Sequence, residues 1–325
     1  MQSGMKYITI ILPMLISFVF SAVSGKFLIP YLLKLKVGQT ERTDGVKSHL
    51  SKTGTPNMGG IMFLVGLAAA SVCMAGACPE VIPVLILTVG FGLVGFIDDY
   101  LKVVKKKSDG LSVKQKMALQ IVIALLFAFY ITKVGGVPLS MKIPFLPGKF
   151  LDMRILNIPA FLFISVATVN GTNFTDGVDG LASCVTLAVA LFFTIAAVFS
   201  GSGAAASGGA MIGGLLGFLI YNAQPAKVFM GDTGSLALGG FVTAMAYLLQ
   251  LPLFIPIVGF IYFIEVVSVI LQVGYFKKTH GKRIFRMAPI HHHFELGGWS
   301  EVKVVAVFTV VTTILSAIAI LGLWN

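Results

Sequence analysis

Long apolar runs dominate the chain, and none shows the strict alternation of a half-buried strand. They cover residues 7–33, 57–77, 80–97, 117–134, 156–173, 178–200, 207–222, 235–251, 252–274 and 302–323. A helix needs about 20 residues to cross the hydrocarbon core of a bilayer, so the runs predict ten membrane-spanning helices. Closed barrels are the other spanning architecture, but their strands are shorter and alternate. Pro252 and Pro256 mark the break between the eighth and ninth runs, since proline cannot sit inside a regular helix without disturbing it. The expected fold is all-α: one polytopic membrane-embedded domain over residues 1–325.

Composition agrees with the pattern. Hydrophobic residues make up 57% of the chain and charged residues only 11%, with a mean hydropathy of +0.94. A soluble domain carries about 25% charged residues, so an ordinary soluble enzyme, a disordered chain and a disulfide-rich secreted domain are excluded. The 36 glycines suit closely packed membrane helices. Cys73, Cys78 and Cys184 have no paired spacing and read as small buried hydrophobes.

Ten spans place both termini on one side. The loops 34–55, 98–116, 170–179, 222–234 and 275–301 share the other side and hold 17 of the 24 Lys and Arg residues, against 5 in the opposite loops. Basic residues accumulate in cytoplasmic loops. These five loops are therefore expected in the cytoplasm, with both termini facing the periplasm or exterior. The net charge of +11 reflects this asymmetry, and no nucleic-acid partner is needed to explain it. Ala22-Val23-Ser24 after the first apolar residues loosely matches a signal-peptide cleavage site. The apolar run continues beyond it, however, and the basic count favours an uncleaved span.

The polar residues gather on the expected cytoplasmic face. Asp98, Asp99, Asp109, Asp176, Asp179, Asp232, Glu295 and all five histidines lie there. Asp98 and Asp99 end an apolar helix, and successive helical side chains diverge by about 100°. One carboxylate can face a cavity while the other binds a neighbouring group. Asp176 and Asp179 lie in an Asn-, Thr- and Gly-rich loop, three residues apart. Asp232 sits in a glycine-flanked turn, where it can cap the next span or ligate magnesium, which prefers one or two carboxylates with phosphates and water. Phe229, just before it, can stack on a nucleobase or face lipid. Three consecutive histidines, His291, His292 and His293, lack the i, i+4 spacing of a helical zinc pair. With Arg286 nearby they suit an anionic substrate better. Six lysines follow Asp98-Asp99, and Lys114 lies beside a helix start at Ser112, where a phosphate can be held. Carboxylates for a divalent metal and cations for phosphates together describe phosphoryl chemistry between two anions. The membrane setting points to a lipid as one of them.

Five segments carry a resemblance across nearly the whole chain: Thr55-Pro56-Asn57-Met58-Gly59-Gly60, Phe96 to Lys102, Asn173 to Ala182, Val228 to Ser235 and Pro289 to Glu295. In this order they resemble the phospho-N-acetylmuramoyl-pentapeptide-transferase family, within the polyprenyl-phosphate N-acetylhexosamine-1-phosphate transferase superfamily. The resemblance implies a ten-helix homodimeric enzyme of the bacterial plasma membrane, with its active site facing the cytoplasm. It would transfer phospho-MurNAc-pentapeptide from UDP-MurNAc-pentapeptide to undecaprenyl phosphate, giving lipid I and UMP for peptidoglycan synthesis. It implies Mg2+ as cofactor with Asp232 as its ligand, and Asp98 and Asp99 serving the reacting phosphates, Asp98 as the base. It places Asp176 and Asn222 on the uridine, Phe229 stacked upon it, and Lys102, Lys114 and His291 on phosphates. Asn173, Asp179, His292 and His293 complete the implied substrate-binding set. Phe174 stands where the family pattern expects Leu, a mild departure. A related transferase using UDP-N-acetylhexosamine would share the Asp motifs, but the histidine stretch favours the muramoyl branch. A transporter would carry polar residues at mid-span, and Glu265 is the only acidic residue well inside an apolar run.

Overall fold

The computed structural model describes residues 2–34, 52, 54–103 and 110–324. Most of the expected cytoplasmic loop 34–55, including His49, and also Lys105, Lys106, Lys107 and Asp109 lie outside the described residues. The helices are α1 (Gln2–Lys34), α2 (Ile61–Met74), α3 (Val81–Val103), α4 (Val113–Lys133), α5 (Asn157–Thr175), α6 (Leu181–Ser200), α7 (Ala205–Asn222), α8 (Gly231–Leu248), α9 (Ile255–Val258), α10 (Phe260–Lys278), α11 (Ile290–Glu295) and α12 (Glu301–Trp324). Every apolar run becomes a helix. Eight of these helices are long and apolar enough to cross a bilayer. The other two long ones differ for visible reasons: α2 has 14 residues, and α8 opens with the polar stretch Gly231-Asp232-Thr233-Gly234-Ser235.

Helix α8 is the centre of the bundle. Every residue from Thr233 to Tyr247 is buried, and α3 and α5 pack along it. Around this core, α1 packs on α7 and α2, while α6 lies against α7 and α12. A helix apolar on all sides belongs inside a large core or a membrane. The outer helices accordingly expose large hydrophobic side chains such as Phe27, Phe129 and Phe163.

Several boundaries differ from the sequence pattern: α3 runs on to Val103 and α4 starts at Val113, and three further differences shape the bundle. Helix α2 starts at Ile61 rather than 57, because the preceding residues pair with the loop before α8: Gly59 and Gly60 donate backbone N–H groups to Phe229 and Met230, and Phe229 donates to Pro56. Helix α8 starts at Gly231 rather than 235, which brings Asp232 into its first turn. The run 252–274 is divided at Gly259 into the short α9 and the long α10. Between α4 and α5 a small antiparallel hairpin, β1 (Met141–Lys142) with β2 (Phe150–Leu151), pairs Met141 with Leu151. The cysteine reading needs one correction. All three are free and Cys78 is buried, but Cys184 is only half-buried and Cys73 is exposed.

Candidate active site

The site begins with a glycine. A Cβ at Gly95 would overlap the Asp232 carbonyl. Only glycine lets the last turns of α3 lie directly against the start of α8, three residues before the Asp98-Asp99 pair. The two carboxylates then divide as their helical directions require. Asp99, 1% exposed, turns into α8. Its oxygens accept hydrogen bonds from Thr233 N at 2.8 Å, Thr233 Oγ1 at 2.6 Å, Asp232 N at 3.3 Å and Asn57 Nδ2 at 3.3 Å. The residue preceding α8, Met230, contributes no side-chain cap. The orphan N–H groups of the first turn, which a local Ser, Thr or Asp normally satisfies, are satisfied here by a carboxylate from another helix.

Asp98 turns the other way. Its Oδ1 accepts Leu111 N at 2.7 Å, and its Oδ2 lies 2.6 Å from Lys102 Nζ. The same ammonium lies 3.0 Å from Asp232 Oδ2, and Lys116 Nζ lies 2.8 Å from that oxygen. Asp232 Oδ1 accepts Asn173 Nδ2 at 2.8 Å, and Asn173 also donates to Ser235 Oγ. Four elements therefore converge on Asp232: α3 through Lys102, α4 through Lys116, α5 through Asn173, and α8 itself. Ser112 caps α4 reciprocally with Gln115, as the helix start predicted there requires. Lys114, however, is exposed on the first turn, and Lys116 is the lysine of α4 that reaches the carboxylates.

The donor set fits magnesium. Asp98 Oδ2 and Asp232 Oδ2 approach one cation, the Lys102 ammonium, from two sides. Hard carboxylate oxygens arranged this way suit Mg2+. Charge balance argues likewise. Two lysines against two carboxylates leave no surplus positive charge for a diphosphate and a lipid phosphate.

The uridine candidates separate into two groups. Asp176 is half-buried at the end of α5. Burial, and then the negative charges of Asp232, Asp99 and Asp179, raise its carboxyl well above the usual range, against the Gly231 N–H, which lowers it. Phe229 is half-buried, and its backbone pairs with Pro56 and Gly59 ahead of α2. Asp179 and Asn222 are occupied in holding the framework. Asp179 accepts Lys52 Nζ at 2.8 Å and Ala226 N at 3.0 Å, and Lys52 also reaches Glu301 at 2.6 Å. Asn222, 3% exposed, donates to the Val228 carbonyl at 3.0 Å and shapes the turn before α8.

The histidines lie on α11. His291 is 1% exposed, with Nδ1 3.1 Å from Glu265 Oε2 of α10. His292 Nδ1 lies 2.7 Å from Glu295 Oε2. His293 Nδ1 accepts Arg286 N and so fixes the loop before α11. Among the described residues His291, His292 and Glu295 could close on a metal, their ligand atoms lying within 4.8 Å of one another. The direct His292–Glu295 contact accounts for part of that closeness, and the neighbouring His291 and His292 rings, with centroids 4.1 Å apart, for the rest. The residue pattern did not single out Asn57, Thr233, Ser235, Lys52 or Glu301, because uncharged or isolated side chains give no sign of the helix they will meet.

A family model described as Glycosyl transferase family 4 matches residues 81–250. The phospho-N-acetylmuramoyl-pentapeptide-transferase of Acetivibrio thermocellus is 48% identical over 312 residues, covering 95% of this chain and 94% of that protein. The protein of the same name from Clostridium botulinum strain Eklund 17B is 48% identical over 97% of each chain. The one from Carboxydothermus hydrogenoformans is 47% identical over 95% of this chain and 97% of its own. The similarity covers 95–97% of this chain, and the chain belongs to the phospho-N-acetylmuramoyl-pentapeptide-transferase family.

Proposed function

We propose that the cluster of Asp98, Asp232, Lys102 and Lys116 is where this transferase moves phospho-MurNAc-pentapeptide from UDP to undecaprenyl phosphate, forming lipid I and releasing UMP. The observation that carries the assignment is the convergence of α3, α4 and α5 on Asp232, at the first turn of α8. The cluster faces the cytoplasm, all ten long helices cross the bilayer, and both termini lie outside. The basic asymmetry of the loops supports this topology. The protein works as a homodimer, a reading that rests on the family resemblance alone.

Mg2+ held by Asp232, with Asp98 beside it, supplies positive charge to the diphosphate oxygens when bound. The chain's own residues do the rest. Lys102 and Lys116 are aimed at the same carboxylate oxygen, and a diphosphate entering between them offers a second set of anionic partners. They draw two mutually repelling phosphates into one place. Asp99 contributes by holding the α8 N-terminus, which aims Asp232. Asp176 and Phe229 border the opening where uridine binds. His291 approaches the same loop from α11.

The transfer is a direct displacement. An oxygen of undecaprenyl phosphate forms a bond to the β-phosphorus of the nucleotide sugar. The bond from that phosphorus to the bridging oxygen breaks, and UMP leaves with the electron pair. Asp98 takes the lipid phosphate's proton where one is present. With a second phosphate pKa near 6, most of the lipid phosphate is already ionised at neutral pH, and holding it in line is the larger task.

The test is an assay of the purified protein with undecaprenyl phosphate and either UDP-MurNAc-pentapeptide or UDP-GlcNAc, with and without magnesium. Magnesium-dependent UMP release with the muramoyl donor alone is expected. Turnover of UDP-GlcNAc instead would move the chain to the hexosamine branch. Stoichiometric UMP release without any lipid, with the phosphosugar retained on Asp98 or Asp99, would overturn the direct displacement.

A further inference from the structure

Glu265 is the acidic residue that the phosphate chemistry leaves unexplained. It lies on α10, which packs against α5, with Tyr262 one turn earlier fitted against Gly171 of α5 and hydrogen-bonded to Thr186 at 2.7 Å. Its side chain is completely buried, and neither carboxylate oxygen has a well-formed hydrogen bond. A carboxylate so placed is costly unless something recovers the cost. The polar group beside it is His291, with Nδ1 3.1 Å away. His291 is itself 1% exposed, and neither ring nitrogen is hydrogen-bonded. On its other side the ring meets Gly177: a Cβ there would overlap Nε2. Gly177 does not have a positive φ, so the requirement for glycine is space for the imidazole rather than backbone conformation. Gly177 directly follows Asp176. A polar chain thus runs from the interior of α10 through one imidazole to the loop assigned to the nucleotide.

A purely structural buried pair would close its hydrogen bonds within itself. Here both outer ends are open, and the free Nε2 is turned toward the substrate loop. We propose that Glu265 is a positioning residue acting through His291: it holds the proton on Nδ1, fixes the ring plane and presents Nε2 to the phosphorylated nucleotide beside Asp176. An acidic partner on one ring nitrogen sets the state and direction of the other, as carboxylates do behind metal-bound histidines. The inference rests on the reading of this pocket as the active site.

The experiment is a double-mutant cycle on the full-length protein in detergent, using Glu265→Gln and His291→Asn. Glu265→Gln keeps the size and removes the charge. It is expected to lower kcat by about 10- to 100-fold, the usual range for a partner behind a functional histidine, with little change in KM for UDP-MurNAc-pentapeptide. In the His291→Asn background the same change is expected to cost no more than about twofold, because coupled residues are not additive. An undiminished loss in that background would overturn the proposal, since Glu265 would then act by another route. Nitrogen-15 spectra of histidine-labelled protein, assigned with His291→Asn, give a second reading. They should show Nδ1 protonated in the parent and the proton redistributed in Glu265→Gln. A bare Nδ1 in the parent would also overturn it. Gly177→Ala, which leaves Glu265 intact and displaces the ring, should match the loss of His291→Asn, and full activity in that variant would count against the contact. If the parent itself makes no lipid I, the reading of the pocket fails first, and the spectra still decide the Glu265–His291 geometry.

Discussion

Two buried polar clusters meet at one end of the helix bundle, and they are built in opposite ways. The aspartate cluster is closed. Asp99 accepts four hydrogen bonds, and Asp98 and Asp232 share lysines from two helices. The histidine cluster is open at its core, where Glu265 and His291 lie at an ion-pair distance with none of their four polar atoms well bonded. A satisfied buried network rigidifies its surroundings, whereas an unsatisfied one is destabilising until something completes it. On the proposed function, the aspartate cluster holds its reacting groups in place before substrate enters, and the histidine cluster gains its missing partners from the substrate.

The most damaging change should be Asp232→Asn. Asparagine keeps a helix-compatible first-turn side chain and one acceptor for Asn173, so the fold should survive. The charge that faces Lys102, Lys116 and magnesium is lost, and kcat should fall by at least about 10²-fold, as when one preorganised electrostatic group is removed. Activity near the parental value at an unchanged magnesium requirement would remove Asp232 from the metal site.

The closed and open clusters should separate on stability. In Asp99→Asn the new amide group faces donors from Thr233, Asp232 and Asn57, and buried donors lose their acceptor. A stability loss of about 1–3 kcal/mol is expected in detergent unfolding, together with reduced turnover as Asp232 shifts. Glu265→Gln should be near neutral in stability, because it removes a poorly solvated charge without stranding a bonded partner. Equal destabilisation by the two variants would erase the distinction.

Lysine identity sharpens the picture of the closed cluster. Lys116→Ala removes a charge-assisted contact worth roughly 1.5–3 kcal/mol, which corresponds to about 10- to 100-fold in kcat/KM if it is used in the transition state. Lys114→Ala removes an exposed side chain and should change the rate by no more than about twofold. The reverse order in steady-state assays would favour Lys114, the phosphate ligand implied by the family resemblance, over Lys116.

Much of this arrangement was legible in the residues alone. Apolar run length identified the helices, because a bilayer leaves few other ways to satisfy a backbone. The split between Asp98 and Asp99 follows from helical geometry. What stayed hidden was interhelical. The run pattern started α8 at 235 because Gly231 to Gly234 look polar, yet that turn is helical because Asp99, far away in sequence, caps it. Lys114 and Lys116 look alike in sequence, and only the rotation of α4 against α3 and α8 distinguishes them. Asp179 is implied as a substrate ligand by the family resemblance, and its contacts with Lys52 and Ala226 gave no sign in the residues.

The expected effect farthest from the reacting phosphates concerns that last group. Lys52 joins Asp179, in the loop proposed to bind the nucleotide, to Glu301 at the start of α12, at 2.8 and 2.6 Å. Burial by itself would lower the Lys52 ammonium, but the hydrogen bonds and charges of Asp179 and Glu301 outweigh it, and the net shift is upward from 10.5. A cation bound more tightly in the folded than in the unfolded chain stabilises the fold fully below the unfolded pKa, and the contribution fades as pH rises through the folded one. Between pH 7 and 9 this strap should therefore contribute a constant amount, and the loss should begin only above 10.5. Lys52→Met should lower stability by about 1–3 kcal/mol at pH 8, the scale of a partly buried charge-assisted contact, and should flatten the stability profile above pH 10. It should also raise KM for the nucleotide more than it lowers kcat, because the loop it holds carries Asp176 and not the reacting phosphates. Unfolding midpoints measured from pH 7 to 11 on both proteins provide the check. Parallel curves across the whole range would mean that Lys52 does not link the loop to α12 in solution.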